Sequence, residues 1–321
     1  MESVMNIPEY TQRELVLPAM GAWPASRHLF DDEQVRALRA AEAAGRPLLV
    51  RGDPGTGKSQ LAHAAAVATG RALLSVVVDA RSEAHDLMWH FDAVARLSDA
   101  HLAALPGGKA LKSLRPVRYV APGPLWWAFD WCGAARQLKA NRCGGVEPQA
   151  PGGWAPDKGV VLLIDEIDKA ESDLPNGLLE ALGNGRFTVT PTGTVVERAG
   201  GVPPPLVIVT TNDERELPAA FLRRCVVLTL ALPKTRGDLI DFLVERGRLH
   251  FPALHAEYAK ALSDAATLLV DDRVDAERKG VYVPGLAEYL DLLRVLTRIG
   301  GDAEAQVAEL KHLFYRKQPE A

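Results

Sequence analysis

Hydrophobic positions along this chain gather into short unbroken runs and into stripes of helical period. Pro47-Leu48-Leu49-Val50, Leu73 to Val78, Val160 to Ile164, Leu206 to Thr210 and Val226 to Leu230 are apolar runs of strand length, and they alternate with helical segments. A strand that is apolar on both sides is buried on both faces. Five of them interleaved with helices predict an α/β fold with a doubly wound, five-stranded parallel sheet. Asp31-Asp32-Glu33 ahead of Val35, Leu38 and Ala41, with Gly45 behind, predicts a capped amphipathic helix with a glycine stop. After Pro233 the strand pattern ends. Asp238 to Leu249, Ala256 to Leu269, Leu286 to Ile299 and Ala303 to Phe314 carry helical spacing and predict a small C-terminal all-helical domain.

About eighty residues separate the second strand from the third, too many for one crossover. An insert is therefore predicted at about 86–158. Within it, Asp86 to Leu97 and Pro124 to Leu138 read as helices, and Lys139 to Lys158, with four glycines and three prolines, reads as a long mobile loop. Phe187 to Val196 alternates around Pro191-Thr192-Gly193, which predicts a hairpin at about 186–197. The organisation that follows is an N-terminal extension (1–30), an α/β core (31–232) and the helical domain (233–321).

The 321 residues suffice for such a core and a smaller satellite, and 47% hydrophobic with 24% charged residues excludes a disordered chain. A formal charge of −4 offers no general attraction to nucleic acid or to an anionic membrane. The apolar runs are too short for a membrane span, and the first residues lack the basic start and apolar core of a secretory signal, so a cytoplasmic location is expected. Cys132, Cys143 and Cys225 lack CxxC spacing, and the histidines form no HxxxH pair, so reduced structural thiols are expected rather than a zinc site. Trp126, Trp127, Phe129 and Trp131 read as core packing, with Trp127 and Trp131 on one helix face. Lys109, Lys112, Arg115 and Arg118 read as a solvated face.

Candidate chemistry begins directly after the first core strand. Gly52-Asp53-Pro54-Gly55-Thr56-Gly57-Lys58-Ser59, followed by Gln60, matches GxxxxGK[ST] between a strand and a helix. Glycines let backbone N–H groups converge on a triphosphate, the helix adds its positive end, Lys58 neutralises the β and γ phosphates, and Ser59 holds magnesium. The third strand runs into Asp165-Glu166. That end of a parallel sheet faces the phosphate loop, which assigns Asp165 to the metal and Glu166 to the attacking water. Asp168 reads as a helix cap. Thr210-Thr211-Asn212 ends the fourth strand, where the Asn212 amide can hold the water. Arg223 and Arg224, before the fifth strand, can reach a nucleotide bound by a neighbouring subunit.

Phosphate loop, acid pair, asparagine, paired arginines and a helical lid in this order resemble an AAA+ ATPase. The closer resemblance is to the MoxR-like branch, with its CbbQ, NorQ and GvpN relatives. It is carried by Tyr119-Val120-Ala121-Pro122-Gly123-Pro124-Leu125, and by Gly177-Leu178-Leu179-Glu180-Ala181-Leu182 leading into Gly185-Arg186-Phe187-Thr188-Val189. The resemblance covers residues 30 to 315. It implies a homo-oligomeric ring, usually a hexamer, that uses ATP and Mg2+ to remodel a protein client, often beside a companion with a von Willebrand factor A domain. It also implies that the insert and the hairpin face the pore. Nucleic acid and membrane are not among the expected partners. One departure concerns the lid: Ala287 stands where the family usually has a γ-phosphate-sensing arginine, and Arg294 reads as a surface cation. This leaves a second reading, an ATP-gated assembly switch or scaffold with slow turnover in a bacterial conflict or defence system.

Overall fold

The computed structural model describes Tyr10 and residues 13–20, 23–104, 114–142 and 144–315. Contacts divide these into two compact units: Tyr10 with 31–51 and 61–228, and 13–30 with 52–60 and 229 onward. Part of the predicted extension belongs to the second unit. There β1 (Glu14–Leu17) and β2 (Ser26–Leu29) pair antiparallel, with Leu15 and Leu17 turned inward. Strands of four residues leave too short an alternation to stand out in the sequence.

In the first unit, α1 (Asp32–Ala44) begins with a capping box: Asp31 accepts from the Gln34 N–H at 2.7 Å while Gln34 reaches back to the Asp31 N–H. It ends at Gly45, in the left-handed conformation that glycine adopts without strain. β3 (Leu48–Arg51) leads by way of the glycine segment to α2 (Lys58–Thr69) and β4 (Ala72–Val77). The insert follows. Asp86 to Leu97 is not one helix, as the spacing predicts, but a short 3-10 turn, a strand β5 (Trp89–Phe91) and a helix α3 (Ala93–Ala104). The cause is pairing: β5 adds antiparallel to β6 (Val120–Pro122), and the Asp92 carboxylate then accepts from Ala95 N–H at 2.7 Å to start the helix. The second predicted helix also breaks, into α4 (Pro124–Phe129) and α5 (Trp131–Ala140), where Asp130 leaves helical geometry and caps α5. Trp127 and Trp131 therefore meet across the break, edge to face at 5.1 Å, rather than along one helix.

Beyond the end of α5, residues 144–155 are irregular and Pro156–Lys158 form a 3-10 turn, yet the segment is fastened. Trp154 packs on Trp131 with ring centroids 4.5 Å apart, its indole donates to Gly159 O, and Trp131 donates to Glu147. Aromatic pairs of this kind contribute about 0.5–1.5 kcal/mol beyond their buried area. Trp126, Trp127 and Phe129 lie in the core as expected. Lys109, Lys112 and Cys143 fall outside the described residues; Cys132 and Cys225 are free thiols.

The remaining elements of this unit are β7 (Val160–Asp165), α6 (Asp173–Asn184), the antiparallel hairpin of β8 (Arg186–Val189) and β9 (Thr194–Glu197), β10 (Leu206–Thr211), α7 (Ala219–Leu222) and β11 (Val226–Thr229). The five core strands lie in the order β11-β3-β10-β7-β4, with β3, β10, β7 and β4 parallel. The apolar residues of β3, β7 and β10 are buried, the condition that the unbroken runs imply, whereas Val77 of β4 and Val227 of β11, on the two outer strands, are exposed. Trp89 of β5 donates to Thr188 O at 3.3 Å, tying the insert to the hairpin.

The described residues of the second unit beyond 235 are mostly helical. Here α8 (Arg236–His250), α9 (Pro252–Lys279), α10 (Leu286–Ile299) and α11 (Ala303–Tyr315) enclose a core that includes Leu243, Leu262, Leu269, Tyr289 and Leu293. α9 is longer than its apolar stripe and kinks at Tyr258. α8 also meets β2, where Arg246 donates to Leu29 O at 3.1 Å. Among the described residues no helix is long and apolar enough to cross a membrane.

Candidate nucleotide site

Gly52, Gly55 and Gly57 all have positive φ, and close approach adds a second demand at two of them. A side chain at Gly52 would place Cβ 2.2 Å from the Leu230 carbonyl oxygen, and one at Gly55 would place it 2.6 Å from Cβ of Ala287. The segment closes on itself: Thr56 Oγ1 donates to Asp53 O at 2.8 Å, and the Lys58 ammonium donates to Gly52 O at 2.6 Å and to Asp53 O at 2.9 Å. Lys58 is 7% exposed, so its charge is held among the loop's own backbone groups. Asp53, Pro54 and Gly55 are exposed, Thr56, Gly57 and Ser59 half-buried. Gln60 anchors the segment by donating to Ser26 Oγ and Arg27 O.

At the lid, Ala287 lies in the first turn of α10, against Gly55, and Arg294 pairs with Asp291 on the surface. The cation that comes near the loop is Arg273 of α9. It donates to Pro284 O at 2.8 Å, with Nη2 3.9 Å from an Asp53 carboxylate oxygen. Nothing in the helical spacing of α9 marks this arginine off from the surface cations beside it.

In the first unit, β7 delivers Asp165 and then Glu166 at the sheet's carboxyl edge. Thr210, fully buried on the neighbouring β10, donates its hydroxyl to Asp165 Oδ1 and accepts the Glu166 N–H at 2.9 Å. Glu166 has φ 61° and ψ 47°, a left-handed conformation costing a non-glycine residue about 1–2 kcal/mol. Its Oε2 accepts from Lys169 Nζ at 2.6 Å, and the carboxylate pushes the Lys169 pKa up. Asp168, 2% exposed, does not cap its own helix, as its position after the strand suggests. Its Oδ2 instead accepts the N–H groups of Asn212 at 3.2 Å and Glu214 at 2.9 Å. Both of those amides lie more than forty residues along the chain, at the exit of β10, so the carboxylate serves the neighbouring strand end rather than its own turn.

The parallel register pairs Thr211 with Arg51 and Val209 with Ile164. Asp165, Glu166 and Asn212 are thus brought to one sheet edge, the edge at which β3 ends in Arg51. Arg223 and Arg224 are exposed at the end of α7, one residue from Cys225, whose thiol is pushed up to about 11 by burial.

A family model described as the AAA domain of the dynein-related subfamily matches residues 47–225, from the entry of β3 to the residue after the paired arginines. This chain belongs to that family. As an AAA domain it is an ATP hydrolase. Among curated proteins no sequence match is found. Among solved structures it is similar to a "putative ATPase" from Cytophaga hutchinsonii, at 13% identity and a TM-score of 0.36, over 88% of this chain and 79% of that one. A likeness this loose carries no functional argument. Thr210 and Lys169 are the residues that motif reading passes over in the AAA domain. Thr210 stands two residues before Asn212 and Lys169 three after Glu166, which is the signal that could have found them.

Proposed function

We propose that this AAA domain is a MoxR-like AAA+ ATPase that works as a ring, hexameric in the usual case, and remodels or activates a protein client. The observation that carries the reading is the sheet register, which gathers the acid pair, the asparagine and the strand feeding the glycine segment at one edge. In this reading the backbone N–H groups of residues 52–60, Pro54 excepted, and the Lys58 ammonium take the phosphates of ATP. Ser59 and Asp165, a hydroxyl and one oriented carboxylate, suit Mg2+, an ion that otherwise keeps water and phosphate oxygens. The ion, when bound, neutralises charge building on the transferring phosphate. Glu166 keeps Oε1 for the attacking water while Lys169 holds Oε2, Asn212 orients that water, and Arg224 with Arg223 serves the neighbouring subunit's site. The β8–β9 hairpin and the insert tied to it by Trp89 are the surfaces offered to the client, for which a von Willebrand factor A companion is the first candidate.

One observation favours the switch reading: α10 sets a methyl group, Ala287, rather than a cation against Gly55. Without that cation, lid closure gains less from the γ phosphate, and turnover slows.

The test is subunit mixing. Arg224→Ala and Glu166→Gln chains are each expected to bind ATP without turning it over, and mixed rings regain activity at interfaces that pair an intact Glu166 with an intact Arg224. Mixed rings verified by native mass spectrometry yet as inactive as their parents would refute the trans arginine. Strong stimulation of turnover by a companion protein supports remodelling. Nucleotide-dependent assembly with negligible turnover supports the switch.

A further inference from the structure

Two buried side chains link the turn after β7 with the end of β10, and they run in opposite directions. Thr210 reaches from β10 to the acid pair, its hydroxyl donating to Asp165 and accepting from the Glu166 N–H. Asp168 reaches back from the acid turn to β10's exit and accepts two N–H groups, those of Asn212 and Glu214. Both residues are essentially out of solvent. Asp168 spends one oxygen on both amides, and its other oxygen, Oδ1, is buried without a hydrogen-bond partner among the described residues. A buried carboxylate left half-satisfied is costly to keep for packing alone, since an apolar side chain of similar size would fill the space.

Three of the four residues joined to Thr210 and Asp168 are the ones to which hydrolysis has been assigned. Glu166 sits in left-handed backbone, and Asp213, directly after Asn212, does too, at φ 57°. Neither turn is held by a glycine, and the backbone N–H groups of each donate to the clamp side chain that reaches over from the other's side.

We propose that Thr210 and Asp168 form a reciprocal clamp that fixes the Glu166 turn and the Asn212 turn relative to each other, so that base and water-holding amide are set as one unit. They are positioning residues. This rests on the hydrolytic reading of Glu166 and Asn212. A displacement of about 1 Å between groups that share one water is enough to cost on the order of a hundredfold in rate, whereas nucleotide affinity resides elsewhere. The clamp thus acts on kcat and leaves ATP binding alone.

The experiment uses the full chain with magnesium ATP. Thr210→Val keeps the shape and removes the hydroxyl, and Thr210→Ser restores it. Thr210→Val is expected to lower kcat about a hundredfold with the ATP Kd changed less than about threefold, and Thr210→Ser to stay within about fivefold of the parent kcat. Asp168→Asn, whose carbonyl oxygen can still accept both amides, should keep most of the rate that Asp168→Ala loses. Amide exchange gives a readout independent of turnover: Asn212 and Glu214 should exchange faster in Asp168→Ala, and Glu166 faster in Thr210→Val. Full kcat in Thr210→Val, or an equal fall in Thr210→Ser and Thr210→Val, overturns the clamp. So does unchanged amide exchange in both loss variants. If Asp168→Ala does not fold, the threonine pair decides. A parent chain with no magnesium-dependent turnover overturns the hydrolytic reading and the positioning role with it, and exchange in the variants still reports separately whether the two turns are joined.

Discussion

Residues 52–57 carry glycine at φ 146°, 78° and 91°, whereas the turn after β7 puts a glutamate at φ 61°. In the proposed reading backbone N–H groups are the working parts of the first region, and a side chain at Gly52 or Gly55 would meet space already taken by Leu230 or Ala287. In the second the same reading makes a carboxylate the working part, so glycine would remove it. The chain accepts the strain there and holds the residue by Thr210 and Lys169. Left-handed backbone is obtained through glycine where the main chain acts, and through neighbouring hydrogen bonds where a side chain must act.

Substitutions at the two turns should therefore fail differently. The largest expected effect is Lys58→Ala, which removes the charge held among the Gly52 and Asp53 carbonyls. Calorimetry should find magnesium ATP affinity lost by at least about a hundredfold, and unchanged affinity would remove the glycine segment from the site. Glu166→Gln comes next: ATP affinity stays, while turnover in a steady-state assay falls by about two factors of ten or more, because an amide keeps the shape and cannot take a proton. Gly52→Ala should weaken ATP binding by roughly tenfold or more, since its Cβ meets backbone rather than a flexible side chain. Gly57→Ala meets nothing nearer than Gln60 Oε1 at 3.8 Å and should cost less. Equal losses at the two glycines would show that conformation alone governs the loop. The smallest effect sharpens the strain argument. Glu166→Val should lower unfolding free energy by about 1–2 kcal/mol relative to Glu166→Gly in denaturant titrations, although neither hydrolyses ATP.

Much of this was legible in the chain because it depends on local patterns. The runs at 48–50, 160–164 and 206–210 can hardly be anything but doubly buried strands, and GxxxxGK[ST] between strand and helix names its own chemistry. What could not be read are the elements and contacts that arise from distant pairing. β5 forms only because Val120–Pro122 lies beside it, and Asp168 finds its partners more than forty residues on. A lone carboxylate after a strand carries no mark of which amides it will meet. The loop from Lys139 to Lys158 misled for a related reason. Its glycines and prolines announce irregular backbone correctly, but the tryptophan that fastens it acts through a partner on α5.

The order of the core sheet has a consequence for how this protein is made. β3 carries the chain into the glycine segment, yet its neighbours on both sides, β10 and β11, are the last two strands of the sheet to be synthesised. A nascent chain released before Leu206 holds β3 with two open edges and Leu48, Leu49 and Val50 uncovered, a template for pairing with other chains. At about 5–20 residues per second, the interval between β3 and β11 emerging is on the order of 10–40 seconds. Over that interval the strand that leads into the glycine segment must be kept from aggregating, which makes this chain a strong candidate client for ribosome-associated chaperones, and C-terminal truncations before Thr211 poor candidates for soluble expression.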